Sequence, residues 1–451
     1  MTPLYDLLFE YAARKSLRLH MPGHKGKIDR GFLKDFSEFD LTELDVTDNL
    51  FEPTGAILEA ERLYAELFGV KYALFSVNGS SSGNFAFAAQ GKVVAVDRLS
   101  HKSLFEALRL MKKPTVVIER RVNDGMVEPI SLKDIKETLE LYPEIDVFVL
   151  TSPDYYGQTV NLPEIRAFLK AKGKKLFVDS AHGAHFGLSP LLPESTAKNS
   201  DACVVSVHKT LGGLNQTAVL LSDSDELIGD LKRDLYAFMT TSPSFGLMAS
   251  IDLAREYAAE NAGKYDVLYE RRRIFDEKIK KIGLFSEKND DFTRVVVNCE
   301  GYGVSAEEVG AALERENVFL EMTDKKRLVA ITTIYDDEDV FERLYEALEK
   351  IRPIFENRKE ICEKTRKNAA YNDRKAAFGL KRYPLVGEVS ISEAEGCVSA
   401  ETILKIPPCI PVLLDGETIS AEVLKEIKSI PLKDGKERKK LKVRYERIDN
   451  V

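Results

Sequence analysis

The sequence has no tryptophan, only six histidines, and no Cys-x-x-Cys pair among its five cysteines. Cys203, Cys299, Cys362, Cys397 and Cys409 are odd in number and far apart, which argues against a disulfide framework and a thiolate zinc site and leaves buried free thiols as the plain reading. No stretch approaches the run of about 18 apolar residues that a membrane-spanning helix requires. The first residues, MTPLYDLLFEYAARKSLRLHMPGHKG, lack the basic segment, apolar core and cleavage site of a signal peptide, so a cytoplasmic protein is expected. Positive charge is also in deficit: 65 Lys and Arg against 73 Asp and Glu leave a net charge of −8. That balance weighs against nucleic acid as the main partner, because binding phosphates calls for a concentrated basic face. The basic run KDGKERKKLKVRYER, residues 433–447, reads as a solvated terminal strand or helix, with a nucleic-acid or partner patch as the alternative. Internal repeats and low-complexity tracts are absent too. A charged fraction of 31% without tryptophan fits a heat-adapted protein, although composition alone does not establish one.

What is present is core. With 451 residues and 44% hydrophobic content, the chain can bury a large interior and divides into more than one domain. Leu4, Leu7, Leu8 and Tyr11 predict an opening helix, and HMPGHKGKIDRG predicts the loop after it. Downstream, helical stretches alternate with the short apolar runs YALFSV, VVAVD, PTVVIE, DVFVLTS, KLFVDS, ACVVSV and TAVLLS. Such runs, apolar on both faces, predict an α/β fold around a mostly parallel sheet. Residues 248–282 predict one or two long amphipathic helices, and the strand, helix, strand, strand, helix order after them predicts a compact α+β domain. The expected organisation is an N-terminal arm over 1–50, a large ligand-binding domain over 51–265, a small α+β domain over 266–379, and a C-terminal segment over 380–451 packed with the small domain.

The chemistry gathers where strands end, which is where open parallel sheets bind ligands. All six histidines precede residue 209, each in or beside a turn containing Gly, Ser or Pro. After YALFSV comes NGSSSGN, where Ser80, Ser81 and Ser82 open a helix that can present N–H and hydroxyl groups to an anion; an ordinary capped loop is the alternative. After VVAVD comes His101, which taken alone reads as a surface histidine. After KLFVDS come Asp179 and His182, and a carboxylate so placed calls for a cationic partner. After ACVVSV come His208 and Lys209. A lysine at a buried strand end loses preference for its ammonium form, which frees the amine to attack a carbonyl; a surface salt bridge is the alternative for the residue taken singly. The strand-end sites taken together favour the chemical reading.

DSAHGAH followed by SVHKTLGGLNQ resembles the fold-type I pyridoxal 5'-phosphate enzymes, and specifically the ornithine/lysine/arginine decarboxylase family. LHMPGHKG, SHKS, LTSPDYYG, TTSPSFGLMASID and AETILKIPPCIPVLLDGE match further blocks of that family in order, so the resemblance spans nearly the whole chain. It resembles the shorter form, without the N-terminal receiver-like domain of larger members. The resemblance implies that Lys209 binds the cofactor as a Schiff base and that Asp179 pairs with its pyridinium nitrogen. It also implies that His101 stacks on the ring, that His182 lies beside it, and that Ser80, Ser81, Ser82, Ser206 and His208 hold the phosphate or its surroundings. His208 is the implied proton donor to Cα, with Lys209 the rival. Thr240, Thr241 and Ser242 resemble a segment that reaches a neighbouring subunit's phosphate, implying a homodimer or larger assembly with shared active sites. His24, Asp48, Asp154 and Glu321 are the implied substrate contacts, with no metal.

The expected reaction is decarboxylation of a basic amino acid, arginine first and lysine or ornithine close behind, giving CO2 and an amine for polyamine synthesis. An aminotransferase or aldolase on the same fold, or a non-catalytic binding homologue, are the alternatives. The sequence departs from the family in an abbreviated acidic stretch that keeps Asp45 and Asp48, in Asp154 where threonine is usual, and in Cys409 where glycine is usual. Those departures bear on side-chain specificity.

Overall fold

The computed structural model describes residues 1–123, 126–356, 376–378, 385–405, 410–430 and 438–445. Cys362, Cys409, and residues 433–437 and 446–447 of the basic run lie outside the described residues. The chain divides into two units, one formed by Met1–Ala86, Ser152–Pro163 and Val178–Ala369, the other by Phe87–Thr151, Glu164–Phe177 and Ala370–Val451.

In the first unit the opening helix is Pro3–Ala13, which buries Leu4, Leu8 and Tyr11. The helix Ala56–Phe68 ends at Gly69, whose φ of 64° is the left-handed geometry a glycine tolerates best. Its strands run in the order Tyr72–Ser76, Ala218–Ser222, Ala202–Ser206, and then the end of Lys175–Asp179, of which Val178 and Asp179 belong to this unit. Ala202–Ser206 and Ala218–Ser222 are buried at every residue, the two-faced burial that their unbroken apolar runs predict. Ala218–Ser222 is antiparallel to both of its neighbours. The connection from Ser206 to Ala218 holds one helical turn, Val207–Thr210, too little chain for a parallel crossover. The long amphipathic stretch forms two helices, Phe245–Glu260 and Lys264–Lys280; the first is capped by Ser244, whose hydroxyl accepts the Leu247 N–H. A second, antiparallel sheet follows in the order Phe285–Ser286, Arg294–Asn298, Arg327–Ile331, Met322–Thr323. The helices Ala306–Arg315 and Val340–Glu356 complete the predicted α+β pattern.

In the second unit Val94–Asp97 pairs in parallel with Val147–Thr151 and with Thr115–Ile118, and Ala376–Phe378 adds an antiparallel edge. Each parallel strand is followed by a helix, Lys102–Leu110 after the first and Leu132–Leu141 after Thr115–Ile118, the latter opened by a capping box between Ser131 and Asp134. Residues from the C-terminal part of this unit build a separate apolar core of Leu413, Ile419, Val423, Ile427, Leu441 and Val443. Arg98 joins it through a buried ion pair with Glu417 at 3.1 Å. The sheets are mixed rather than uniformly parallel, within an α/β architecture.

Candidate active site

Two strands end in neighbouring turns of the first unit. Lys175–Asp179 closes on a carboxylate that is 3% exposed. Its Oδ2 accepts the Asn84 amide at 2.7 Å and its Oδ1 accepts the Ala181 N–H at 3.1 Å. Both donors are neutral. The next residue, Ser180, donates its backbone N–H to Val204 O at 2.9 Å, which ties this turn to the strand Ala202–Ser206. That strand runs directly into the helical turn Val207–Thr210, which carries His208 and Lys209. Aliphatic strands thus bring an acid and an amine to neighbouring strand ends, because neither residue can continue a fully buried strand without an unpaired charge.

Lys209 and His182 meet: Nζ lies 3.1 Å from Nε2. The other ring nitrogen of His182, Nδ1, lies 2.7 Å from Nη2 of Arg294. The Tyr155 ring packs on the imidazole, with centroids 4.4 Å apart. Arg294 leads the strand Arg294–Asn298 and is fully buried. Burial lowers the affinity of its guanidinium for the proton, against the raising effect of Asp291, Glu321, Tyr155 and Asp154. Its stem runs over Gly157, where a β-carbon would stand 2.9 Å from Arg294 Cγ at a φ of +81°, so the glycine of TSPDYYG makes room for it. Sequence reading passed over Arg294; the signal was a lone cation heading an otherwise apolar run, FTRVVVN.

His208 is held differently. Its Nδ1 donates to Thr217 O at 2.8 Å, which leaves Nε2 as the acceptor nitrogen of the neutral ring. Burial pushes its proton affinity below that of an ordinary imidazole, against the opposing bond to Thr217. A neutral ring of this tautomer has no proton to give from Nε2.

The glycine-serine turn follows the strand Tyr72–Ser76. Gly79 takes a φ of +72°, and its N–H bonds Gln216 O at 2.7 Å. Ser80 and Ser81 are partly exposed at the start of the helix Ser80–Ala89. Ser82 is buried instead, and its hydroxyl bonds Gly79 O and Ser76 Oγ, so that side chain shapes the turn. Thr240, Thr241 and Ser242 are exposed, and the Thr240 N–H reaches Asn78 Oδ1 of the same turn at 3.3 Å. The hydroxyls of Ser206 and Thr210 are buried with no hydrogen-bond partner among the described residues.

Most of the remaining predicted residues hold local bonds. His101, in the second unit, caps the helix Lys102–Leu110 by accepting the Ser103 N–H. His24 Nε2 meets Asp40 at 3.0 Å and its Nδ1 accepts the Gly26 N–H. Asp48 accepts the backbone N–H groups of Asn49, Thr54, Gly55 and Ile57, which hold its carboxyl below the ordinary range despite burial. Asp154 Oδ1 closes its own turn by accepting Tyr156 and Gln158 N–H groups. These carboxylates are engaged in shaping backbone. Glu321 is exposed, and its charge acts on Arg294.

The family model described as Orn/Lys/Arg decarboxylase, major domain, matches residues 2–282. An uncharacterized protein of Bacillus subtilis, YaaO, is 30% identical across 94% of this chain and 93% of its own. The arginine decarboxylase of the same organism is 27% identical across 93% of this chain and 92% of its own. In fold the chain resembles the constitutive lysine decarboxylase of E. coli, with a TM-score of 0.78 at 18% identity, over 98% of this chain and 82% of that one.

Proposed function

The chain belongs to the Orn/Lys/Arg decarboxylase family, and from that premise we propose that its substrate is arginine, with lysine and ornithine the close alternatives, and that Lys209 and Asp179 are the core of its active site. Members of the family are pyridoxal-phosphate-dependent lyases, and the residues at the two strand ends fit that cofactor. Its aldehyde needs an amine, its ring nitrogen needs a buried acid, and its phosphate needs N–H and hydroxyl donors. Lys209 supplies the first. Asp179 supplies the second, because a carboxylate buried against two neutral donors is stabilised by any cation that enters. The turn at Gly79, Ser80 and Ser81, with the unsatisfied hydroxyl of Ser206, supplies the third. When bound, the cofactor supplies an electron sink for the pair released as CO2 leaves. Asp179 keeps a proton on the ring nitrogen, which sustains that sink. Lys209 would hold the aldehyde of the cofactor through its amine. His182, 3.1 Å from Lys209 Nζ, orients that lysine.

The observation that carries this reading is Asp179 itself, a buried carboxylate that among the described residues has only neutral donors, beside the turn of Lys209. His208, with Nδ1 committed to Thr217, is the weaker candidate for protonating Cα, and Lys209 is the stronger. Glu321, exposed and acidic, suits the distal cation of the substrate. The finer reading also includes a homodimer in which Thr240, Thr241 and Ser242 serve a neighbouring site, and a place in the cytoplasm making polyamine precursors. Among the described residues no helix is long and apolar enough to cross a membrane. The test is to incubate the protein and cofactor separately with arginine, lysine and ornithine and identify the amine and CO2 formed. Arginine is expected to turn over fastest; no CO2 from any of the three would contradict the reading.

A further inference from the structure

We propose that Arg294 is a positioning residue that fixes the ring proton of His182 on Nε2 and thereby holds Lys209 as a neutral amine; the consequence for cofactor capture rests on the reading of Lys209 given above. A guanidinium carries only donors and keeps its proton at any ordinary pH. With Nη2 at 2.7 Å from Nδ1 of His182, that nitrogen has to be the acceptor. An imidazole whose Nδ1 accepts carries its single proton on Nε2, and an imidazolium is excluded because it would turn an N–H against an N–H. Nε2–H then faces Nζ of Lys209 at 3.1 Å. An ammonium group offers no lone pair, so the bond closes only when Lys209 is the amine. The chain Arg294, His182, Lys209 therefore passes a cation's influence through a neutral ring without placing a second cation on the lysine.

The arrangement is braced at its arginine end. The backbone carbonyl of Arg294 accepts from Arg272 Nη1 at 2.8 Å and from Asn289 Nδ2 at 2.8 Å. Asn289 also reaches Tyr156 O at 2.9 Å, which joins the strand to the TSPDYYG segment. The charged and titratable groups acting on the guanidinium are Asp291, Glu321, Tyr155 and Asp154, and Asp291 is itself bonded to His185 Nε2 at 3.1 Å. Arg294 Nη2 is the donor at Nδ1, and it sets the tautomer from that side. Neutral amine is the form that attacks a carbonyl.

The test begins on the full chain freed of cofactor, labelled with nitrogen-15 histidine, the His182 signals being assigned by their loss in His182→Gln. Wild type is expected to show the Nε2–H tautomer at pH 7; an Nδ1–H ring or an imidazolium would overturn the proposal without any Arg294 variant. In Arg294→Met the tautomer is expected to become mixed, and the rate at which Lys209 forms an imine with added pyridoxal phosphate is expected to fall about tenfold. Arg294→Lys, which restores a donor, is expected to recover most of both readouts. Unchanged tautomer and unchanged rate in Arg294→Met would overturn the proposal. Wild type showing the Nε2–H tautomer but no imine on Lys209 would overturn the function read above and leave the assignment of Arg294 standing.

Discussion

Two strands end in a buried aspartate, and the molecule treats them in opposite ways. Asp97, closing Val94–Asp97 in the second unit, is 0% exposed and is gripped by Arg120, whose Nε lies 3.0 Å from Oδ1 and 3.1 Å from Oδ2. Asp179, closing Lys175–Asp179, is 3% exposed and faces an asparagine amide and a backbone N–H. The first carboxylate is neutralised from within the chain; the second is solvated without being neutralised. Burial is alike, so the difference lies in the cation, which Asp179 lacks among the described residues. A structural ion pair closes its own account, whereas an acid held by neutral dipoles is prepared for a positive charge from outside.

The same substitution at both positions tests that contrast most severely. Asp97→Asn leaves Arg120 buried without its counter-charge and is expected to cost about 3–5 kcal/mol in urea unfolding, with cofactor capture intact in whatever protein stays folded. Asp179→Asn is expected to leave the stability of the cofactor-free protein within about 1 kcal/mol, because the amide oxygen still accepts one N–H, while turnover falls about 10²–10³-fold. Equal losses of stability in the two variants would break the comparison. A smaller effect is expected at Asn84: Asn84→Ala removes the donor at 2.7 Å and is expected to destabilise by about 1.5–3 kcal/mol, the loss shrinking when the cofactor is bound.

A third buried carboxylate sharpens the comparison through pH. Glu61 is pushed up to about 8 by burial, against the Phe75 N–H and the charge of Lys232. Because its folded value lies above the ordinary value of 4.5, the folded state holds the proton more tightly. Its contribution to stability is therefore complete below about 4.5 and is lost as pH rises through about 8. The urea midpoint of wild type is expected to fall across that window, and Glu61→Gln to flatten the fall; identical slopes would show that Glu61 is already ionised in the fold.

How much of this was readable beforehand follows from how local each signal is. The strand-end motifs stood out because a polar residue ending a buried apolar run interrupts a pattern with period and burial behind it, and KLFVDS and ACVVSV both do so. The antiparallel strand Ala218–Ser222 inside the sheet needed a further sign: strand direction depends on the length of the connection, and the link from Ser206 to Ala218 is short. Sequence shows the polar atoms of Ser82 and Asp48 but not their partners, and here nearby backbone bonds both side chains. Arg294 and Arg120 were missed because each lies far along the chain from the group it bonds, His182 and Asp97. Long-range pairing of buried charges leaves no trace in spacing.

The central claim is that one lysine among the chain's many captures the cofactor. Loading the protein with pyridoxal phosphate, trapping the linkage with borohydride as a secondary amine, and sequencing the labelled peptide by mass spectrometry tests it directly. The account predicts a pyridoxyl group on Lys209 alone, at near one per chain; a label on another lysine, or none, would contradict it.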